Sequence, residues 1–120
     1  SQSCIGIVVL KGANTIGENI SKKFEFEFKK PFSKNWILNH DYHLGGYAKY
    51  SKELILFMRE FYKITGLITD PIYSGKMFFG LIDQLKKNKK LGNKKIIALH
   101  SGGLSGIEGF EKRYKVKIFN

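Results

Sequence analysis

The sequence predicts an α/β unit in which mainly parallel strands are covered by helices, and three observations carry that prediction. The run Cys4-Ile5-Gly6-Ile7-Val8-Val9-Leu10 is short, apolar and β-branched, and it stops at Lys11-Gly12, which reads as a strand buried on both faces. From about Ser51 to Thr65, Leu54, Phe57, Met58, Phe61 and Ile64 recur at three- and four-residue steps, the single apolar face of a helix. Ile96-Ile97-Ala98-Leu99 reads as a further buried strand that runs straight into His100-Ser101-Gly102-Gly103-Leu104-Ser105-Gly106. Ligands of open α/β sheets gather at such carboxyl ends of strands.

The remaining elements follow in order. After the first strand, Ile16, Ile20 and Phe24 recur at fourfold steps and predict a helix from Asn14 despite Gly17. Phe24-Glu25-Phe26-Glu27-Phe28 alternates apolar and charged residues before Lys29-Lys30-Pro31, and fits either an edge strand or an extended tail of that helix. Trp36-Ile37-Leu38-Asn39-His40 is a second buried strand, followed by an aromatic-rich turn, Asp41 to Tyr47. In the helix from Ser51, Ser51 caps the start and Gly66 ends it. Asp70-Pro71 closes a connector, and Phe78, Leu81, Ile82 and Leu85 predict a helix over Lys76 to Asn88 that Ser74 would cap. The tail from Ile107 to Asn120 combines a helical turn with Val116, Ile118 and Phe119. A chain of 120 residues that is 42% hydrophobic supports one core and leaves no room for two large domains.

Composition narrows the classes of partner. Lys+Arg total 21 against Asp+Glu 10, a formal net charge of +11 and hence a basic surface. Only Arg59 and Arg113 are arginine, whereas base-edge and bidentate phosphate readers lean on arginine. The lysine excess travels with Phe, Ile, Asn and Tyr, the pattern of an A/T-biased coding sequence, so nucleic acid is the less favoured explanation of the charge. The basic run Lys86 to Lys95 reads as a solvated helix end, where cations suit the carbonyl-rich terminus. Its rival is a small basic module that binds nucleic acid through those lysines. The single Cys4 excludes an internal disulfide framework and reads as inert core, pointing to a cytoplasmic location. With three scattered histidines it offers no zinc-ligand spacing, so no metal is expected. No apolar run reaches the ~18 residues of a membrane span, and no secretory leader is read, so no membrane partner is expected.

Two motifs carry chemistry. Gly102-Gly103-Leu104-Ser105-Gly106 allows backbone N–H groups to approach an anion, or serves only as a tight turn. It is neither a Walker loop nor a dinucleotide fingerprint. Pro71-Ile72-Tyr73-Ser74-Gly75-Lys76 places a phenol, a hydroxyl and an amine at one loop-to-helix junction, able to move protons or orient a polar ligand. Its plain alternative is a capped helix with a surface lysine. His40 and His43 are candidate bases, or polar surface groups.

Together, Asp70-Pro71-Ile72-Tyr73-Ser74-Gly75-Lys76-Met77-Phe78-Phe79-Gly80-Leu81-Ile82-Asp83 and Leu99-His100-Ser101-Gly102-Gly103-Leu104-Ser105-Gly106 resemble the 1-aminocyclopropane-1-carboxylate deaminase and D-cysteine desulfhydrase family. The family pattern is Asp-Pro-Val-Tyr-Thr/Glu-Gly-Lys with Gly-Leu-Ile-Asp, then His-Thr-Gly-Gly and a later Gly. The blocks stand in the right order and separation, and Gly45-Gly46-Tyr47 precedes them where the family carries a Gly-Tyr loop.

The resemblance implies a tryptophan synthase β-like fold of type II, a three-layer parallel sheet with flanking helices. Residues 1–120 would form an incomplete carboxyl-terminal portion of its large cofactor-binding domain. It implies pyridoxal 5'-phosphate as cofactor and a small amino acid as substrate. The Schiff-base lysine and the cofactor-phosphate loop would lie in a missing amino-terminal portion ahead of Ser1, and Lys76 is not the cofactor's lysine. Tyr73 would act beside the substrate as an acid, a base or an orienting phenol, with Tyr47 as a second active-site phenol. Ser101, with Gly102, stands where the family's threonine offers its hydroxyl to the cofactor's pyridine nitrogen. Ser74 replaces the glutamate of the cyclopropane-opening deaminases and resembles the threonine of the desulfhydrases, so the ring nitrogen would have a neutral partner. Where many members continue Gly-Tyr-Gly-Val-Pro, this chain has Gly46-Tyr47-Ala48-Lys49-Tyr50, a departure in the substrate loop. The implied reaction is deamination or β-elimination, with D-cysteine first and the cyclopropane amino acid second. An exposed face left by the missing portion would favour a homodimer.

Overall fold

A computed structural model describes residues 2–119. Its elements in order are β1 (Cys4–Ile7), α1 (Ile16–Phe28), β2 (Trp36–Asn39), α2 (Lys52–Thr65), α3 (Ser74–Lys87), α4 (Lys89–Gly92) and α5 (Gly106–Tyr114). β1 and β2 pair in parallel, with Cys4 opposite Trp36 and Ile7 opposite Asn39. Parallel neighbours need a crossover, and α1 supplies it. Gly17 brings that helix down on Leu38 and Trp36, where a Cβ would stand 3.4 Å from each side chain. Phe24, Phe32 and Trp36 continue the contact as a chain of rings about 4.9 Å apart.

The alternating segment Phe24 to Phe28 is helix, not edge strand. Phe24 and Phe28 become neighbours one turn apart, with ring centroids at 4.7 Å, while Phe26 points to solvent. The helix stops where Lys29 turns left-handed at φ 52° and its N–H bonds to the Glu25 carbonyl, two residues before Pro31.

α2 forms where the apolar stripe predicts it, but the stripe is corrected at its end: Ile64 is 80% exposed, whereas Ile55, outside the stripe, is buried. The Ser51 hydroxyl accepts the N–H of Leu54 at 3.2 Å, and Gly66, at φ 73°, closes the carboxyl end. Leu54, Ile55 and Met58 are buried against Phe110 of α5 and Ile118 of the tail, which forms the core. Arg59 fastens the tail by donating from Nε to the Ile118 carbonyl at 2.9 Å and from its terminal nitrogen to that of Lys117. Asn120, the last residue of the tail read from the sequence, lies outside the described residues.

Three strand readings are corrected. The first run pairs only over Cys4–Ile7, and Cys4 is exposed rather than core. Only the inner edge of β1 meets a neighbour among the described residues, so an apolar run is not buried merely by being apolar. Ile37 in β2 is exposed for the same reason. Ile96 to Leu99 is no strand: it pairs with no other segment among the described residues, and Ile97 is 89% and Leu99 81% exposed. Among the described residues the sheet therefore has two strands where about three were expected. Among the described residues no helix is long and apolar enough to cross a membrane.

Candidate functional site

Asp70 organises the start of α3. Its carboxylate is buried and accepts the N–H of Tyr73 at 2.8 Å and that of Ser74 at 2.9 Å. Two otherwise unpaired amides of the first turn are thereby satisfied, and a negative charge sits at the positive end of the helix. Ser74 turns its hydroxyl back to Asp70, accepting from Asp70 N–H at 2.9 Å and donating to the carboxylate at 3.2 Å. Asp70, not Ser74, is therefore the cap. Asp-Pro ahead of a helix was the available signal, since Asp can accept amides of the turn, residues 71–73, that leads into α3.

The glycine-rich turn lies against this corner. A Cβ on Gly103, at φ 87°, would stand 3.1 to 3.3 Å from the Asp70 carboxylate, so only a residue without a side chain packs there comfortably. His100 ties the turn to the connector before α3. Its Nε2 meets the Ile68 carbonyl at 2.9 Å while Nδ1 accepts the Gly102 N–H at 3.1 Å, an arrangement that assigns the ring proton to Nε2. The Tyr73 and Ser101 turns thus meet through Asp70 and Gly103. Ser101 itself is exposed, and Gly102 is left-handed at φ 94°.

Tyr73 and Tyr47 come together directly. The Tyr73 hydroxyl donates to that of Tyr47 at 3.3 Å, and their rings meet edge to face with centroids 6.0 Å apart. Both line a hollow of about 240 Å³ with Ile7 to Leu10, Ile16 and Leu38, at the carboxyl end of β1. The hydrogen bond with Tyr47, and then burial, raise the Tyr73 phenol above the ordinary tyrosine range. Tyr73 therefore keeps its proton near neutrality, which suits a donor or orienting group rather than a base.

Lys76 corrects the expectation of a surface lysine. It is fully buried and donates from Nζ to the carbonyls of His43 at 2.6 Å and Gly46 at 2.9 Å. Burial pushes its ammonium down to about 8, opposed by the charge of Asp70. Periodicity gives no warning of this, because the partners are backbone carbonyls. Thr69, also fully buried, has a hydroxyl without a hydrogen-bond partner among the described residues. His43 accepts the Gly45 N–H at Nδ1 and so shapes the loop, while His40 is exposed. No three His, Cys, Asp or Glu side chains converge to hold a metal ion among the described residues.

No protein-family model matches the chain. Individual proteins do. It is 37% identical over 76 residues, 62% of this chain and 19% of the relative, to the bifunctional D-cysteine desulfhydrase/1-aminocyclopropane-1-carboxylate deaminase, mitochondrial, of Arabidopsis thaliana. It is 34% identical over 74 residues to the 1-aminocyclopropane-1-carboxylate deaminase of Methylobacterium nodulans, covering 62% of this chain and 22% of that protein. The corresponding protein of Rhizobium rhizogenes is 32% identical over 83 residues, 69% of this chain and 25% of its own length. The chain thus spans 19% to 25% of the length of these curated relatives. With the Asp-Pro-Ile-Tyr-Ser-Gly-Lys corner and the His-Ser-Gly-Gly turn assembled on one another, these similarities support a partial sequence of the 1-aminocyclopropane-1-carboxylate deaminase and D-cysteine desulfhydrase family.

Proposed function

We propose that the chain is part of the large domain of a pyridoxal-phosphate-dependent lyase acting on a small amino acid in the cytoplasm. β-Elimination from a D-cysteine-like substrate is the first reading, and opening of the cyclopropane amino acid the second. The observation that carries it is the meeting of two phenol hydroxyls, 3.3 Å apart, over a hollow beyond the carboxyl end of a parallel strand. The relatives' names support the reading, and the activity belongs to a longer enzyme of the kind they represent.

The donor set fits one side of pyridoxal phosphate. The exposed Ser101 hydroxyl, on a turn held against Asp70, is free to meet the ring nitrogen. Ser74 spends its one proton on Asp70 and has none to offer that nitrogen. Lys76 does not fit as the covalent anchor, because its amine is buried and committed to two carbonyls. That anchor and the phosphate loop come from elsewhere in the enzyme. When bound, the cofactor supplies the electron sink for loss of the substrate's α-proton.

The chain's own residues then orient the substrate and hold a proton. Tyr73, protonated near neutrality, turns its proton from Tyr47 to sulfur while the Tyr47 hydroxyl donates in its place to the Tyr73 oxygen, as the carbon–sulfur bond breaks and its electron pair leaves with sulfur. A neutral hydroxyl from Ser101 leaves the ring nitrogen a weaker sink than an acid would, which favours expelling a good β-leaving group over opening a carbon ring. In the full-length enzyme, Tyr73→Phe is expected to lower kcat about 100-fold with D-cysteine and leave cofactor absorbance intact. An unchanged rate would reject its role. Absence of turnover with both D-cysteine and the cyclopropane amino acid would reject the function.

A further inference from the structure

The loop that carries Tyr47 has an unfavourable backbone. Leu44, Gly45, Gly46 and Ala48 all have positive φ, at 54°, 102°, 125° and 55°, and two of them carry side chains that disfavour that region. Residues 40 to 50 belong to no helix or strand. Such a conformation persists only where its surroundings fix it.

The fixing group comes from α3. The His43 carbonyl already accepts the Gly46 N–H at 3.1 Å, and the Gly46 carbonyl accepts the Lys49 N–H at 3.1 Å. Lys76 Nζ bonds to both carbonyls as an additional donor, at 2.6 and 2.9 Å. It does so from a site with no solvent exposure in the first turn of α3, three residues after Tyr73. One side chain therefore joins the helix that Tyr73 immediately precedes to the residue that precedes Tyr47. We infer that Lys76 is a positioning residue: by holding the His43 and Gly46 carbonyls to α3 it sets the Tyr47 phenol against that of Tyr73.

The assignment rests on the reading of the two phenols as the working groups, but its test does not need that reading. In full-length enzyme with labelled tyrosine, assigned through Tyr47→Phe and Tyr73→Phe, the two rings are expected to give a nuclear Overhauser contact that Lys76→Met abolishes. Persistence of the contact in Lys76→Met, or its absence from the unmodified enzyme, overturns the inference. Should Lys76→Met not fold, Lys76→Gln keeps an N–H donor in the slot. A weakened contact is then expected, a full-strength one overturns the inference, and failure of both variants to fold overturns it too by assigning Lys76 to the fold at large. In turnover, Lys76→Met and Tyr47→Phe are each expected to lower kcat about tenfold with KM changed less than about twofold, and the double variant to lose no more than either alone. Additive losses would overturn action through Tyr47. If the ring contact is lost as expected while Tyr47→Phe and Tyr73→Phe leave turnover unchanged, the positioning stands and the proposed function falls.

Discussion

Lys76 shows at the residue scale what burial of a charge does to stability. Its ammonium gives up water for two carbonyls, and burial brings its pKa from 10.5 down to about 8. Between those values the unfolded chain binds a proton that the folded chain does not, so stability rises with pH through that window. Tyr42 acts in the opposite sense higher up. Burial, and then its 2.7 Å bond to Asp83, raise its phenol from 10.0 to about 12, so stability falls as pH passes 10. Urea unfolding is therefore expected to show a climb between pH 8 and 10, bounded by about 3 kcal/mol, that is absent in Lys76→Met. A profile that is flat, or as steep in the variant, would contradict this. The sequence concealed it because lysines are almost never fully buried and the groups that accept this one are carbonyls every residue possesses. Tyr47, Tyr73 and Ser101 were legible as candidates through the motifs around them, whereas Asp70 was read as the end of a connector rather than as the cap on which the corner is built.

At the scale of elements, legibility follows the range of the interactions that decide the structure. α2 is written locally: Ser51 caps it, Gly66 ends it, and Leu54, Phe57, Met58 and Phe61 lie along one side. Ser51→Ala is expected to cost about 1 kcal/mol in urea unfolding followed by circular dichroism, with no change in the folded spectrum. No loss would show that core contacts alone hold the helix. Phe24 to Phe28 shows the limit of such signals, since its period of two suggests a strand but the pairing of Phe24 with Phe28 and the left-handed Lys29 make it the last turns of α1. Ile96 to Leu99 is the other limit. A strand exists only beside another strand, and no pattern within four residues reveals whether a neighbour is there.

The whole molecule has more surface than its mass accounts for. A compact monomer of 13.8 kDa exposes about 6,600 Å² and 120 residues pack to a radius of gyration of about 13.6 Å, against 8823 Å² and 15.7 Å here. The excess, about 2,200 Å², is comparable to what a stable protein interface buries. Part of it is apolar: Ile97 and Leu99 on the unpaired segment, Ile5 and Ile37 on the sheet. Against association stands a net charge of +11, with Lys94 and Lys95 flanking the apolar segment. Charge repulsion is screened by salt while the attraction of apolar surface is not, so the two are separable. Isolated as these 120 residues, the chain is expected to stay dispersed at low ionic strength and to associate as salt is raised, read by light scattering. Ile97→Lys combined with Leu99→Lys is expected to suppress that association without altering circular dichroism, because neither side chain contributes to the core. Association that is indifferent to salt, or undiminished in the double variant, would mean that a different face of the molecule carries the excess.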